Sequence, residues 1–138
     1  MSRAKFEPMY QAMEEKLGHP ADFRVKYRFY SEEEGGRKSP PFQGYRSDFW
    51  YDYQNHVRTS VYMIWPEFEN TDGKIVFEAD KPITSIGTAR MWIVSSKMRQ
   101  YHRNKIKPGL IGYMVEGSRK VAECEVIELV GLDTNPIE

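Results

Sequence analysis

In SEEEGGRKSPPFQGYRSDFW, residues 31–50, two glycines lead into Arg37-Lys38-Ser39, and a Lys-Ser ending is the mark of a phosphate-binding loop. Such a loop needs Gly-x-x-x-x-Gly-Lys-Ser/Thr between a strand and a helix, because stacked backbone N–H groups and the helix start hold the phosphates. Here Arg37 stands where the glycine before the lysine belongs, and Pro40-Pro41 blocks a helix starting at Lys38. What remains is a glycine turn able to take positive φ, followed by a stiff proline segment that re-enters a sheet at Gly44-Tyr45.

Other reactive residue types are sparse. The three histidines, His19, His56 and His102, have no His-x-x-x-His spacing and no cysteine pair nearby, so no metal site is expected. Cys124 lies between Glu123 and Glu125, which disfavour a thiolate, and it reads as a small residue filling a strand. No two carboxylates are singled out as an acid–base pair. The expectation is a protein that is not an enzyme and carries no cofactor.

Basic and aromatic residues are the more informative set. Lys97, Arg99, Arg103, Lys105 and Lys107 crowd one segment with His102, Met98, Tyr101 and Ile106 between them. Such a segment suits a phosphate backbone, with Tyr101 stacking on a base, and equally suits a solvated loop whose long cations cover apolar surface. In the run Phe49, Trp50, Tyr51 and Tyr53, alternation puts Trp50 on the face opposite the other three. An exposed Trp50 would favour a protein interface.

The elements that must position these residues follow from periodicity. A helix from Pro8 to Leu17 is expected from Tyr10, Met13 and Leu17 at spacings of three and four, stopped by Gly18. In DFRVKYRFY, Phe23, Val25, Tyr27 and Phe29 alternate with Arg24, Lys26 and Arg28, a strand with one apolar and one basic face. Further strands are expected at Tyr45–Tyr53, His56–Trp65, Lys74–Phe77, Thr88–Val94, Leu110–Val115 and Lys120–Leu129, separated by Gly, Pro, Asn and Asp. In the last of these Ala122, Cys124 and Val126 share one face while Ile127 and Leu129 take the other, which calls for a bulge near Val126. The expected class is mainly β, an antiparallel barrel or sandwich with one short N-terminal helix.

The totals agree with one domain. The chain has 138 residues, 40% of them hydrophobic, and its 20 Lys plus Arg balance 20 Asp plus Glu, so no global positive field drives binding to nucleic acid or membrane. No apolar run is long enough to span a bilayer and the N-terminus is too charged for a signal peptide. With a single cysteine there is no intrachain disulfide, and a cytoplasmic protein is expected. The division is a helical appendage at 1–20, a barrel at 21–131 and a tail at 132–138.

EEGGRKSPPFQGYRSDFWY resembles the third domain of elongation factor Tu, where a Glu-Gly-Gly-Arg turn leads through a proline-phenylalanine segment into Gly-Tyr-Arg and an aromatic strand. Gly109-Leu110 and then Glu116-Gly117-Ser118-Arg119-Lys120-Val121 are similar to that domain's last hairpin, and Lys81-Pro82 through Val94 falls at its proline-glycine turn and apolar strand. The resemblance spans residues 22–131 and implies a six-stranded antiparallel β-barrel standing alone, without the GTPase domain. It further implies contact with a tRNA-like backbone through Arg37 and Lys38, a basic rim to which Arg46, Lys97, Arg99, Arg103, Lys105 and Arg119 are added as RNA-binding candidates. Asp48 and Ala122 stand where the family carries glutamine and glycine, and a carboxylate facing phosphate is repulsive. Two readings therefore stay open: a non-catalytic, translation-associated module binding RNA, or a module binding a translation-related protein through Trp50 and Tyr101 in competition with elongation factor Tu.

Overall fold

The computed structural model describes residues 9–53 and 61–138. Six antiparallel strands, β1 (Phe23–Phe29), β2 (Asp48–Tyr51), β3 (Ile64–Phe68), β4 (Ile86–Ile93), β5 (Ile111–Glu116) and β6 (Arg119–Leu129), form one sheet in the order β2-β5-β6-β1-β4-β3. The sheet curls into a half-barrel. Among the described residues its two edges meet at one bridge, where Phe49 and Tyr62 exchange both backbone hydrogen bonds at 2.9 and 2.8 Å.

Alternation along β1 explains the inside of the curl. Phe23, Val25 and Tyr27 are buried, and they join Phe49, Tyr51, Ile64, Phe68, Ala89, Met91, Ile93, Met114, Ala122, Cys124 and Val126 in one core. Each large apolar side chain removed from water here contributes about 1.5–3 kcal/mol. Outside, Lys26 lies opposite Glu125 and Arg28 opposite Glu123, so the basic row read in β1 meets an acidic row on β6. Cys124 lies in the core, where burial raises its thiol pKa.

The expected bulge falls beside Val126. The β1–β6 register passes from Arg24↔Glu128 to Val25↔Val126, leaving Ile127 as the extra residue. A second irregularity between Met114 and Val115 gives β6 one more unmatched position, Val121, and lets adjacent Val121 and Ala122 both be buried.

Some bounds differ from the periodicity. The strand expected to end at Trp65 continues through Pro66, because β3 is an edge strand and needs no outward N–H there; its expected start at His56 lies outside the described residues. Lys74–Phe77 makes only one bridge, Ile75 to Glu69, instead of a strand. Here the Asn70 side chain accepts from the Asp72 and Lys74 amides, and the Gln43 amide group wedges between strands by bonding both Phe68 backbone groups and the Val76 carbonyl. Side chains have taken the groups a ladder would use.

The N-terminal helix α1 is short, Met13–Leu17, and Gly18 ends it in the left-handed conformation at φ 76°. Pro8, its expected first residue, lies outside the described residues. Ala12 cannot cap it, so buried Glu67 on β3 supplies the cap by accepting from the Met13 amide at 2.8 Å, and the same carboxylate accepts from Tyr10 and Trp92. A second helix, α2 (Ser96–His102), stands where the sequence reads as a basic segment. Its buried face carries Arg99 and His102, not aliphatic residues, so hydrophobic periodicity could not reveal it.

Candidate functional site

The expected basic rim divides between two opposite ends of the sheet. Strand β1 runs from Phe23, beside Met91 and Leu129, to Phe29, beside Ala122. Helix α2 follows Ile93 and so belongs to the Phe23 end, whereas the β5–β6 turn carrying Arg119 belongs to the Phe29 end, about 20 Å away along a seven-residue strand.

At the Phe29 end, Arg37 is committed within the protein. Its guanidinium pairs with Glu116 and lies 4.9 Å from the Tyr45 ring centroid, and its Nε donates to the Ser39 carbonyl at 3.1 Å. Glu116 also accepts from the Tyr45 hydroxyl and, at 3.3 Å, from Arg119. Burial raises the Glu116 pKa, but the bonds from Tyr45 and Arg37 outweigh it and hold the carboxyl below its ordinary range. Lys38 is exposed at the mouth of a groove of about 500 Å³ lined by Arg28, Tyr30, Glu34 and Ile86.

The glycines of this turn are structural. Gly35 has φ 95°, and a Cβ on Gly36 would lie 2.1 Å from the Tyr30 carbonyl oxygen, so the chain passes too close for any side chain. The backbone thus passes against Tyr30 immediately before Arg37, whose Nε then bonds the Ser39 carbonyl.

At the Phe23 end, the cations are mostly absorbed into the fold. Arg99 is 1% exposed, buried instead of standing on the rim expected of it. Its Nε bonds Asp22 Oδ1 at 2.6 Å, and its other nitrogens donate to the carbonyls of Ile93 and Pro136. Arg103 donates to the carbonyls of Leu132 and Asn135, both at 2.7 Å, tying α2 to the C-terminal segment. Lys105 bonds the Tyr101 carbonyl at 2.8 Å and sits 3.8 Å from the Tyr101 ring. Lys97 and Lys107 are exposed, as is Tyr101.

The outer face of β2 and β5 holds a third group. Trp50 is directly opposite Tyr113, and their rings stack at 5.8 Å with 23° between planes. The Lys120 ammonium lies 3.9 Å from the Tyr113 ring and 5.0 Å from that of Trp50. Trp50 thus takes the face opposite buried Phe49 and Tyr51, as alternation requires. Arg46 stacks similarly over Trp65 at 4.4 Å. Reading the sequence missed Tyr113 and Lys120 as partners of Trp50, because strand pairing alone brings them together.

Among the described residues no helix is long and apolar enough to cross a membrane, and no cluster of three or more His, Cys, Asp or Glu side chains could hold a metal ion. No family model matches the chain, and no curated protein matches it.

Proposed function

We propose that the protein is a non-catalytic binding module that engages a protein partner through the Trp50–Tyr113–Lys120 face. The observation that carries this reading is the stacked pair itself: two large aromatic rings packed on each other on the outside of a sheet, with a cation over them. Rigid aromatics bind at low entropic cost, and they dominate interface energies where they occur. The RNA reading has fewer resources, since Arg99, Arg103, Arg37 and Lys105 already hold intramolecular partners. Breaking those bonds to reach a phosphate would cancel much of the gain.

The kinship with the third domain of elongation factor Tu, with complete closure of the half-barrel, belongs to the same proposal. It is supported by the six-stranded antiparallel order, the left-handed glycine turn at Gly35, the late hairpin at Gly117 and the Phe49–Tyr62 bridge between the edges. The partner would then be a translation-related protein for which the two compete.

Retention of proteins from lysate by the immobilised chain, with and without ribonuclease, tests this. A partner is expected to survive ribonuclease and to be lost on Trp50→Ala, which at an interface centre weakens binding about 30-fold or more. Unchanged retention by Trp50→Ala would reject the reading. One observation favours the second reading, RNA: an ammonium above stacked rings also suits a base with its phosphate. That version predicts retention that vanishes with ribonuclease and tRNA affinity that falls steeply with salt.

A further inference from the structure

Between helix α2 and the entry to β3 lies a pocket of about 210 Å³, lined by Val61, Tyr62, Met63, Ile93, Ser95, Met98 and His102. Its walls are apolar or aromatic apart from Ser95 and the imidazole. His102 is 1% exposed, and its Nε2 has no hydrogen-bond partner among the described residues. A buried polar nitrogen left unpaired costs on the order of its desolvation, so it calls for an explanation.

The proton on this ring can be placed. Nδ1 lies 2.6 Å from the Tyr51 hydroxyl, a residue buried in the core. If Tyr51 donates to Nδ1, the imidazole proton sits on Nε2 and one donor is left unpaired. If Nδ1 donates to Tyr51, both the Tyr51 O–H and the Nε2 lone pair are left without partners among the described residues. The first arrangement leaves fewer buried groups unsatisfied, so Nε2 carries the hydrogen. Burial and the neighbouring Lys105 both lower the His102 pKa, which keeps the ring neutral and preserves this tautomer. Tyr62 meets the ring edge-on at 4.6 Å and fixes its plane.

We propose that this pocket binds a small, largely apolar cyclic molecule bearing one hydrogen-bond acceptor, a carbonyl above all, which accepts from His102 Nε2–H. The volume sets the size: an apolar cavity of about 150 Å³ takes benzene, so this one has room for a six-membered ring with two or three further atoms. Side chains on a helix lean toward its N-terminus, which directs His102 over the turn that carries Met98. Met98 is half-exposed and unbranched, the wall that yields to admit the guest. This site is separate from the Trp50–Tyr113 face, and neither proposal depends on the other.

The test uses acetophenone and its isostere α-methylstyrene, in which a methylene replaces the carbonyl oxygen, each titrated into the full chain. The ¹⁵N resonance of His102 Nε2 and the dissociation constants are read together. Acetophenone is expected to bind about five-fold more tightly or better, from one hydrogen bond, and to shift the Nε2 resonance. Met98→Trp, which fills the mouth from a half-exposed position, should weaken acetophenone at least ten-fold while leaving the thermal midpoint near wild type. Equal affinity for the two compounds, no binding of either, or unchanged binding in Met98→Trp would each overturn the proposal.

Discussion

Arg99 and Asp22, 77 residues apart in sequence, form an ion pair from which water is shut out, with Arg99 Nε 2.6 Å from Asp22 Oδ1. Asp22 Oδ2 also accepts from the Ile93 amide at 2.8 Å, and Asn135 donates to Oδ1 at 3.0 Å. One carboxylate therefore joins the start of β1, the end of β4, helix α2 and the C-terminal segment. Arg99 adds the carbonyls of Ile93 and Pro136, so both charges are surrounded by hydrogen bonds as buried ions require.

Breaking this pair from one side strands a charge in the interior. Arg99→Ala is expected to cost about 3–5 kcal/mol in urea unfolding. The double variant Asp22→Asn with Arg99→Met should lose at least ~1 kcal/mol less than the two single losses added, because each alone orphans the other partner. A loss below about 1 kcal/mol for Arg99→Ala would mean that solvent reaches the site.

His102 makes the fold sensitive to mild acid. Burial, and then the Lys105 ammonium, lower its pKa from 6.5 to about 4. Between those values the unfolded chain takes up a proton that the folded chain refuses, so stability rises with pH across the window and falls as acid is added. The expected loss from pH 7 to pH 4 is about 3 kcal/mol. His102→Gln should remove that slope above pH 4.5, whereas the carboxylates Glu69 and Glu116, whose pKa values are lowered in the fold, lose their contributions only below it. Parallel stability–pH curves for wild type and variant would contradict the assignment.

The two glycines of the Gly35-Gly36 turn differ in what they forbid. Gly35→Ala meets open space and carries only the left-handed backbone penalty, about 1–2 kcal/mol. Gly36→Ala drives a methyl group into the Tyr30 backbone, 2.1 Å from its oxygen, and is expected to cost about 3 kcal/mol or more. Thermal unfolding of the two variants checks the order, and a Gly36→Ala protein as stable as Gly35→Ala would refute the close approach.

Much of the sheet is readable along the chain because a strand's two faces are encoded two residues apart. Phe23, Val25 and Tyr27 announce their burial by alternation, Gly18 its left-handed stop, and the clash of faces at Val126–Ile127 its bulge. Each of these signals lies within a few residues of the feature it specifies. Helix α2 escaped because it turns Arg99 and His102 inward, and a polar buried face has no hydropathic period.

The sequence by itself therefore determined a mainly β chain of alternating strands, punctuated by glycine and proline, with Trp50 on the face opposite Phe49 and Tyr51. Only the tertiary structure decided which cations face water. Arg99 looks like its neighbours Lys97 and Lys107 until Asp22 is brought beside it, and Trp50 becomes a platform only when strand pairing sets Tyr113 opposite. The reason is physical: secondary structure follows from short-range steric and hydropathic periodicity, whereas the burial of a charge depends on a partner that chain topology delivers from far away.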